Sequence, residues 1–121
     1  MKYFSVINRK AKPLKKERDD GYIEYKWKLV NIQKTKIIKI TTQMKYRLKE
    51  GYGKSIYAIG FDDNGNSLGI SYKELQSTLF NLVYSINELN ANIYKIMVFI
   101  DDNNLYCAKL FINKEFYDWF L

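Results

Sequence analysis

The hydrophobic period of this chain changes repeatedly between two residues and three to four residues, and this order of periods constrains its fold most strongly. Apolar side chains occupy every second position from Ile23 to Leu29, which predicts a strand with one buried face. Helical spacing follows and ends at Gly51, a residue type favoured just after a helix C-terminus. The inward side of this predicted helix consists of Ile37, Thr41, Met44 and Leu48.

The second half of the chain repeats the alternation of periods. The Asn64-Gly65 pair is typical of a tight turn between two strands. Ser71 and Glu74 have the spacing of a capping box, in which each side chain accepts from the backbone N–H of the other residue, and helical spacing follows them. The predicted strands of this half are residues 55–61, 67–70, 93–100 and 105–112.

The resulting order β-α-β-β-α-β is that of a ferredoxin-like fold in the α+β class. We therefore expect a split antiparallel sheet with both helices on one face and an extra C-terminal strand. Residues 21–121 are expected to form this single domain. Residues 1–20 are rich in cations and contain Pro13, and they predict a basic flexible arm, within which residues 1–8 also fit a short strand.

The scarcity of cysteine and histidine excludes most catalytic and metal-binding chemistry. One cysteine, Cys107, and no histidine rule out an intrachain disulfide, Cys-His or Ser-His catalysis and nearly every zinc site. No run approaches the roughly 20 apolar residues that cross a bilayer. We expect a cytoplasmic protein that is not an enzyme, has no membrane contact, uses no cofactor or metal, and buries Cys107 in its core.

Two motifs resemble ligand-binding loops, but their contexts oppose that function. Residues 51–55, Gly-Tyr-Gly-Lys-Ser, resemble the end of a phosphate-binding P-loop, yet Leu48 replaces its first glycine. The predicted order of helix, loop and strand is also the reverse of a P-loop. The Asp-Asp-Asn runs at 62–64 and 101–103 lack the alternate spacing of a calcium loop, and we interpret them as turn residues.

The surplus of positive charge favours an anionic partner. The chain has 20 Lys and Arg against 13 Asp and Glu, a formal charge of +7 and a pI of about 9.4. Outside the arm, the most basic ordered segment is the predicted helix at residues 43–50. We predict RNA or partner contacts at Lys26, Lys28, Lys45, Arg47 and Lys49. A solvated surface without a ligand is the alternative interpretation.

The high aromatic content adds a second possible mode of RNA binding. Aromatic residues make up 17% of the chain and are interleaved with Lys and Arg, a composition that suits stacking on unpaired bases. The sheet face that points away from the helices is the expected site. If Ile23 and Tyr25 face the helices, the opposite face carries Tyr22, Glu24, Lys26 and Lys28.

Four segments resemble the GTP-binding protein 1 and 2 family of elongation-factor-1α-like GTPases. Residues 21–31, GYIEYKWKLVN, resemble its IEYKLKLVN segment, and residues 42–51 resemble its TQMKWRLxEG helix, with Tyr46 in place of the usual Trp. Residues 55–65 resemble its AIYxIGVEDDG hairpin, and residues 68–70 the VGL that follows. The order and spacing of these segments match the family.

The resemblance implies a domain that precedes the GTPase engine in proteins acting on ribosomes, aminoacyl-tRNA delivery, stalled translation and mRNA turnover. The chain ends before any P-loop, switch or guanine-specificity motif, so GTP hydrolysis does not carry over. GTP would be bound only by a downstream GTPase domain of a parent protein. The implied partners are RNA, the ribosome or the GTPase core. The alternative is a protein–protein or dimerisation module unrelated to RNA, which uses the aromatic residues 116–121 or an exposed hairpin edge.

Overall fold

Strands and helices follow one another as ββαβαββ in the computed structural model, which describes residues 3–115. Within that range the strands form one five-stranded sheet in the order β1-β4-β5-β3-β2. The strands are β1 (Tyr3–Ile7), β2 (Ile23–Lys26), β3 (Lys54–Ile59), β4 (Asn92–Ile100) and β5 (Tyr106–Asn113). The helices are α1 (Lys34–Glu50) and α2 (Tyr72–Glu88).

The sheet is mixed rather than wholly antiparallel. β1 pairs with β4 and β2 pairs with β3 in parallel, whereas β5 runs antiparallel to both β3 and β4. The unit β3-α2-β4 is a split βαβ with β5 inserted between its strands, as in ferredoxin-like folds. The α+β class is confirmed. The expected antiparallel arrangement was wrong at β2 and β3, because the crossover through α1 places these strands side by side and parallel.

Both helices pack on one face of the sheet, as expected. Their inward residues form one apolar cluster with β3, β4 and β5, including Met44 and Leu48 of α1 and Leu82 of α2. Burying each such side chain contributes about 1.5–3 kcal/mol relative to its exposure. Gly51 caps α1, and the capping box of Ser71 and Glu74 begins α2, as the sequence predicted. Neither helix, nor any other within the described residues, is long and apolar enough to cross a membrane.

The opposite face of the sheet is partly covered by residues 8–20, which we call the arm. Ala11 and Leu14 of the arm pack with residues of β2, β3, β4 and β5. The backbone N–H of Leu14 donates to the carbonyl of Gly65 at 2.8 Å, and the N–H of Glu17 donates to that of Asp63 at 2.8 Å. The division of the chain at residue 20 stays a prediction, and the structure sets the arm in contact with the sheet.

The turn at residues 62–66 is confirmed and supports the arm. Gly65 has φ +88°, and a Cβ there would lie 2.0 Å from the carbonyl oxygen of Leu14, so only glycine fits this approach. The predicted strand at 67–70 was wrong, because only isolated bridges involve Ser67 and Ile70. Residues 1–8 do contain a strand, β1, at the edge of the sheet.

The faces of β2 are reversed relative to expectation. Ile23 and Tyr25 lie on the arm side of the sheet, whereas the Glu24 carboxylate points to the helix side and meets Arg47 of α1. In the middle of β2 both sides are covered, since Glu24 and Tyr25 are 2% and 7% exposed. The expectation that Tyr22, Glu24, Lys26 and Lys28 form an open basic face was therefore wrong.

Candidate nucleic-acid interface

The five cations predicted to bind RNA occupy different environments. Lys45 and Lys49 lie exposed on the outer side of α1, and no ion pair among residues 3–115 involves either of them. Lys26 Nζ lies 3.5 Å from Glu24 Oε2, and Lys28 Nζ lies 2.6 Å from Glu74 Oε2. Arg47 is buried. The sequence predicted that all five would be available for contact with RNA or a partner. Only the two exposed lysines of α1 have such an environment.

Arg47 serves an internal network instead of a surface contact. Its side chain is 4% exposed, and its Nε donates to Oε1 of Glu24 at 2.9 Å. Its terminal nitrogens donate to the carbonyls of Arg18, Asp20 and Gly21 at 2.8–3.0 Å. The N–H groups of the Arg47 guanidinium are therefore engaged within the protein and do not form a bidentate contact with a phosphate. In the sequence, Arg47 follows Ile40 and Met44 at helical spacing, so all three lie on the buried side of α1. This spacing is the sequence pattern that indicates a buried Arg47.

The Arg47 network also contains a carboxyl with a displaced pKa. Burial raises the pKa of Glu17 from its ordinary 4.5 to about 7, the Tyr25 N–H bond to it opposes this rise, and Glu24 and Asp63 add to it. By accepting the Tyr25 N–H, the Glu17 carboxyl holds the arm against the outer edge of β2. The Tyr57 hydroxyl has no hydrogen-bond partner among the described residues, and its burial raises its pKa.

Lys28 ties the chain after β2 to α2. Its Nζ lies over the Trp27 ring, 4.2 Å from the centroid, as well as against Glu74. Its hydrogen bond lowers the pKa of Glu74, which also accepts the Ser71 N–H in the capping box. Because both partners are about 30% exposed, the ion pair is a modest contributor to stability. Lys28 is therefore engaged within the fold.

The sheet face away from the helices is only half covered by the arm. One row across all five strands remains partly exposed, and we call it the open row. Strand pairing places its members side by side. In order from β1 to β2 they are Tyr3, Lys95, Phe111, Ile56 and Ile23. Aromatic, cationic and aliphatic side chains therefore share one accessible line.

Cations stand over aromatic rings on this face. Lys95 Nζ lies 5.1 Å from the centroid of the Phe111 ring, and the Tyr94 ring lies 6.0 Å from Phe111 at an interplanar angle of 60°. Lys109 and Arg9 lie 5.8 Å and 5.3 Å from the Phe99 ring. These distances are within the range of cation–π interactions, so aromatic rings and cationic groups are neighbours on this face.

A cleft of about 330 Å³ continues the open row at its β2 end. The arm supplies its cationic wall, and the start of β2 supplies its aromatic and aliphatic floor. Arg18 is paired with Asp20 at 2.9 Å, but both side chains are largely exposed, so the contact is weak. The cleft is lined by Lys15, Lys16, Arg18, Asp20, Gly21, Tyr22, Ile23 and Tyr25.

The outer helix surface carries exposed apolar side chains. Phe80 and Tyr84 are 76% and 49% exposed and lie one turn apart on α2. Ile38 of α1 is 61% exposed and lines a groove with Tyr84. Val83 of α2 is exposed as well. This surface fits a protein partner better than a nucleic acid.

Residues with potential chemistry are not gathered into a reactive site. Within residues 3–115, no group of three His, Cys, Asp or Glu side chains is placed to hold a metal ion. Cys107 is buried, as predicted, and burial raises the pKa of its thiol. Gly51 ends α1 and Lys54 begins β3, so the P-loop-like residues connect a helix to a strand as the sequence indicated. The predicted tail interface at residues 116–121 lies outside the described residues.

Comparison with known proteins finds homology to part of a larger protein. The chain is 42% identical over 77 residues to GTP-binding protein 2 of Mus musculus and equally to that of Homo sapiens. The match covers 64% of this chain and 13% of GTP-binding protein 2. The chain is also 34% identical over 83 residues to an uncharacterized protein of Acanthamoeba polyphaga mimivirus, covering 68% of this chain and 45% of that protein.

No protein-family model and no solved structure matches the chain. The homology supports the resemblance to the N-terminal domain of a GTP-binding protein 1/2-like protein, which the sequence segments had indicated.

Proposed function

We propose that this chain is a non-catalytic accessory domain of a translation-type GTPase and that it contacts RNA on the ribosome. Its homology to a segment of GTP-binding protein 2 supports the accessory role. The domain itself needs no cofactor for this task, and GTP would be bound by a separate GTPase domain. The proposed place of action is the cytoplasm.

The observation that carries the RNA contact is the distribution of exposed cations. Lys45 and Lys49 are exposed on one side of α1. The arm adds a second, larger group of exposed cations on the other side of the molecule. Its members are Arg9, Lys10, Lys12, Lys15, Lys16 and Arg18. Such groups neutralise phosphates and release counterions.

Co-sedimentation of the chain with ribosomes over a salt series tests this proposal. We expect binding at low salt that weakens steeply as salt rises, because each lysine–phosphate contact releases a counterion. Replacing Lys45 and Lys49 together by Gln should reduce the logarithmic salt slope by about 1.4–1.8. Lys73→Gln, an exposed position at the start of α2, is the matched control.

Two results would count against the proposal. Absence of co-sedimentation at low salt removes direct ribosome binding altogether. A loss per removed charge that is the same for Lys73→Gln as for the α1 double variant shows that only net charge matters, without a contact at α1.

A protein partner is the second candidate, favoured by the exposed apolar residues on the helix layer. Phe80, Tyr84 and Ile38 would dock on a GTPase core or another protein. Phe80→Glu should abolish such docking and leave ribosome binding unchanged. Pull-down with a purified GTPase core, supplied as a separate chain, measures it, and retained capture by the Phe80→Glu variant argues against this surface.

A further inference from the structure

The open row combines accessible aromatic rings with positive charge on a rigid sheet. Tyr3 is 59% exposed, and Phe111 is partly exposed between its strand neighbours Lys95 and Ile56. Adjacent strands lie about 4.8 Å apart, so a row across five strands spans about 19 Å. Sheets of comparable width stack two or three bases on their aromatic side chains.

The charged strand residues on this face are all favourable to a polyanion. Lys95 lies in the open row, and Lys54 and Lys109 lie in the adjacent rows of β3 and β5. Among the described strand residues that point away from the helices, none is acidic. The arm's Lys15 and Lys16 extend this positive potential into the cleft at the β2 end. Phosphates can therefore be neutralised along the whole row.

We propose that the open row binds unpaired nucleotides of a single-stranded RNA, which rests on the proposed RNA contact and identifies where its bases lie. Bases stack on Tyr3 and Phe111, and the cleft that contains Tyr22 accepts a further base. Lys95 leaves the Phe111 ring and pairs with a phosphate when a base takes its place on the ring.

Duplex RNA does not fit these features equally well. The aromatic side chains of the open row lie between their strand neighbours on the sheet surface, and aromatic side chains on a sheet recognise RNA by stacking on splayed, unpaired bases. The arm also packs beside the open row and leaves a single line of accessible side chains, which suits a single strand of RNA. The surface therefore discriminates by stacking on unpaired bases.

Fluorescence anisotropy with a labelled oligouridine of about 8 nucleotides tests the assignment. Phe111→Leu keeps an apolar side chain between its neighbours and removes the aromatic ring. We expect it to weaken binding about 5-fold or more, since loss of base stacking costs about that factor at least. Tyr3→Leu, at an exposed strand end, should weaken binding in the same direction without risk to the core. Lys95→Gln should reduce the salt slope by about 0.7.

Phe80→Leu is the matched control, because Phe80 is an exposed aromatic on the helix layer. Circular dichroism verifies that each variant is folded. If the wild-type chain binds neither oligouridine nor ribosomes, the proposed function itself fails. If the wild type binds but Phe111→Leu, Tyr3→Leu and Phe80→Leu bind alike, the open row is not the site and the RNA contact stands elsewhere. Equal affinity for a duplex of the same length overturns the preference for unpaired RNA.

Discussion

Replacing Arg47 by Met should cost this small domain a large part of its stability. The Arg47 guanidinium makes four hydrogen bonds of 2.8–3.0 Å, one to Glu24 and three to backbone carbonyls at residues 18, 20 and 21. Met fills much of the same space but donates nothing. The Glu24 carboxylate would then remain buried, with Lys26 at 3.5 Å as its remaining ion-pair partner among the described residues.

The magnitude follows from the cost of leaving a buried charge without its partner. Breaking a buried ion pair by removing one member destabilises by about 3–5 kcal/mol, a large share of the roughly 5–15 kcal/mol by which domains are stable. With a urea m value of about 2 kcal/mol per M, a loss of about 4 kcal/mol lowers the unfolding midpoint by about 2 M. Replacing Glu24 and Arg47 together by Met should cost less than the sum of the single changes, because no unpaired charge stays buried.

Urea unfolding followed by circular dichroism measures this effect, with Lys49→Met as the exposed control on the same helix. The control should change stability by no more than about 0.5 kcal/mol. Trypsin cleavage of the arm adds a local readout, because Arg47 holds the carbonyls at which the arm turns into β2. A loss below about 1 kcal/mol for Arg47→Met, the range of an exposed pair, would refute the reasoning.

Three further predictions concern single positions. Between pH 4.5 and about 7 the folded protein retains a proton on Glu17 that the unfolded chain has released, so stability should fall as pH rises through this window. Glu17→Gln should lessen that fall in urea midpoints, and an identical pH profile would contradict the raised pKa. Tyr57→Phe removes a buried hydroxyl that lacks a partner among the described residues and should leave stability unchanged or raise it by about 1 kcal/mol, whereas a substantial loss in thermal unfolding would reveal a partner. Gly65→Ala drives a Cβ into the Leu14 carbonyl at positive φ, so we expect about 1–3 kcal/mol of destabilisation and faster tryptic cleavage of the arm; unaltered cleavage would show that the turn does not hold the arm.

Local patterns predicted the individual elements well, because each depends on residues a few positions apart. The helical spacing that ends at Gly51 and the capping box at Ser71 both define helices in the structure. The end of the short strand β2 was harder to predict, since the alternation of apolar residues continues to Leu29 but pairing with β3 ends at Lys26. Leu29 instead joins the helix-side core beyond the strand.

The residues of the candidate site were harder to predict from the sequence than the helices and strands. Exposed lysines on α1 were found, since they lie opposite a clear apolar side. The open row was missed, because Tyr3 comes from β1 near the start of the chain, far from Lys95 of β4 and Phe111 of β5. Their proximity arises from the register of β1, β4 and β5, which no local pattern contains.

The sequence by itself determined the helices, the turns, the cationic surplus and the resemblance to the GTP-binding protein 1 and 2 family. Only the tertiary structure decided which face of β2 meets the helices and whether Arg47 is a surface cation or a buried one. The physical reason is that alternation of period two defines two faces of a strand without saying what covers each. Here the helices cover one face and the arm covers part of the other, so Glu24 points inward to Arg47 and the open row is left accessible.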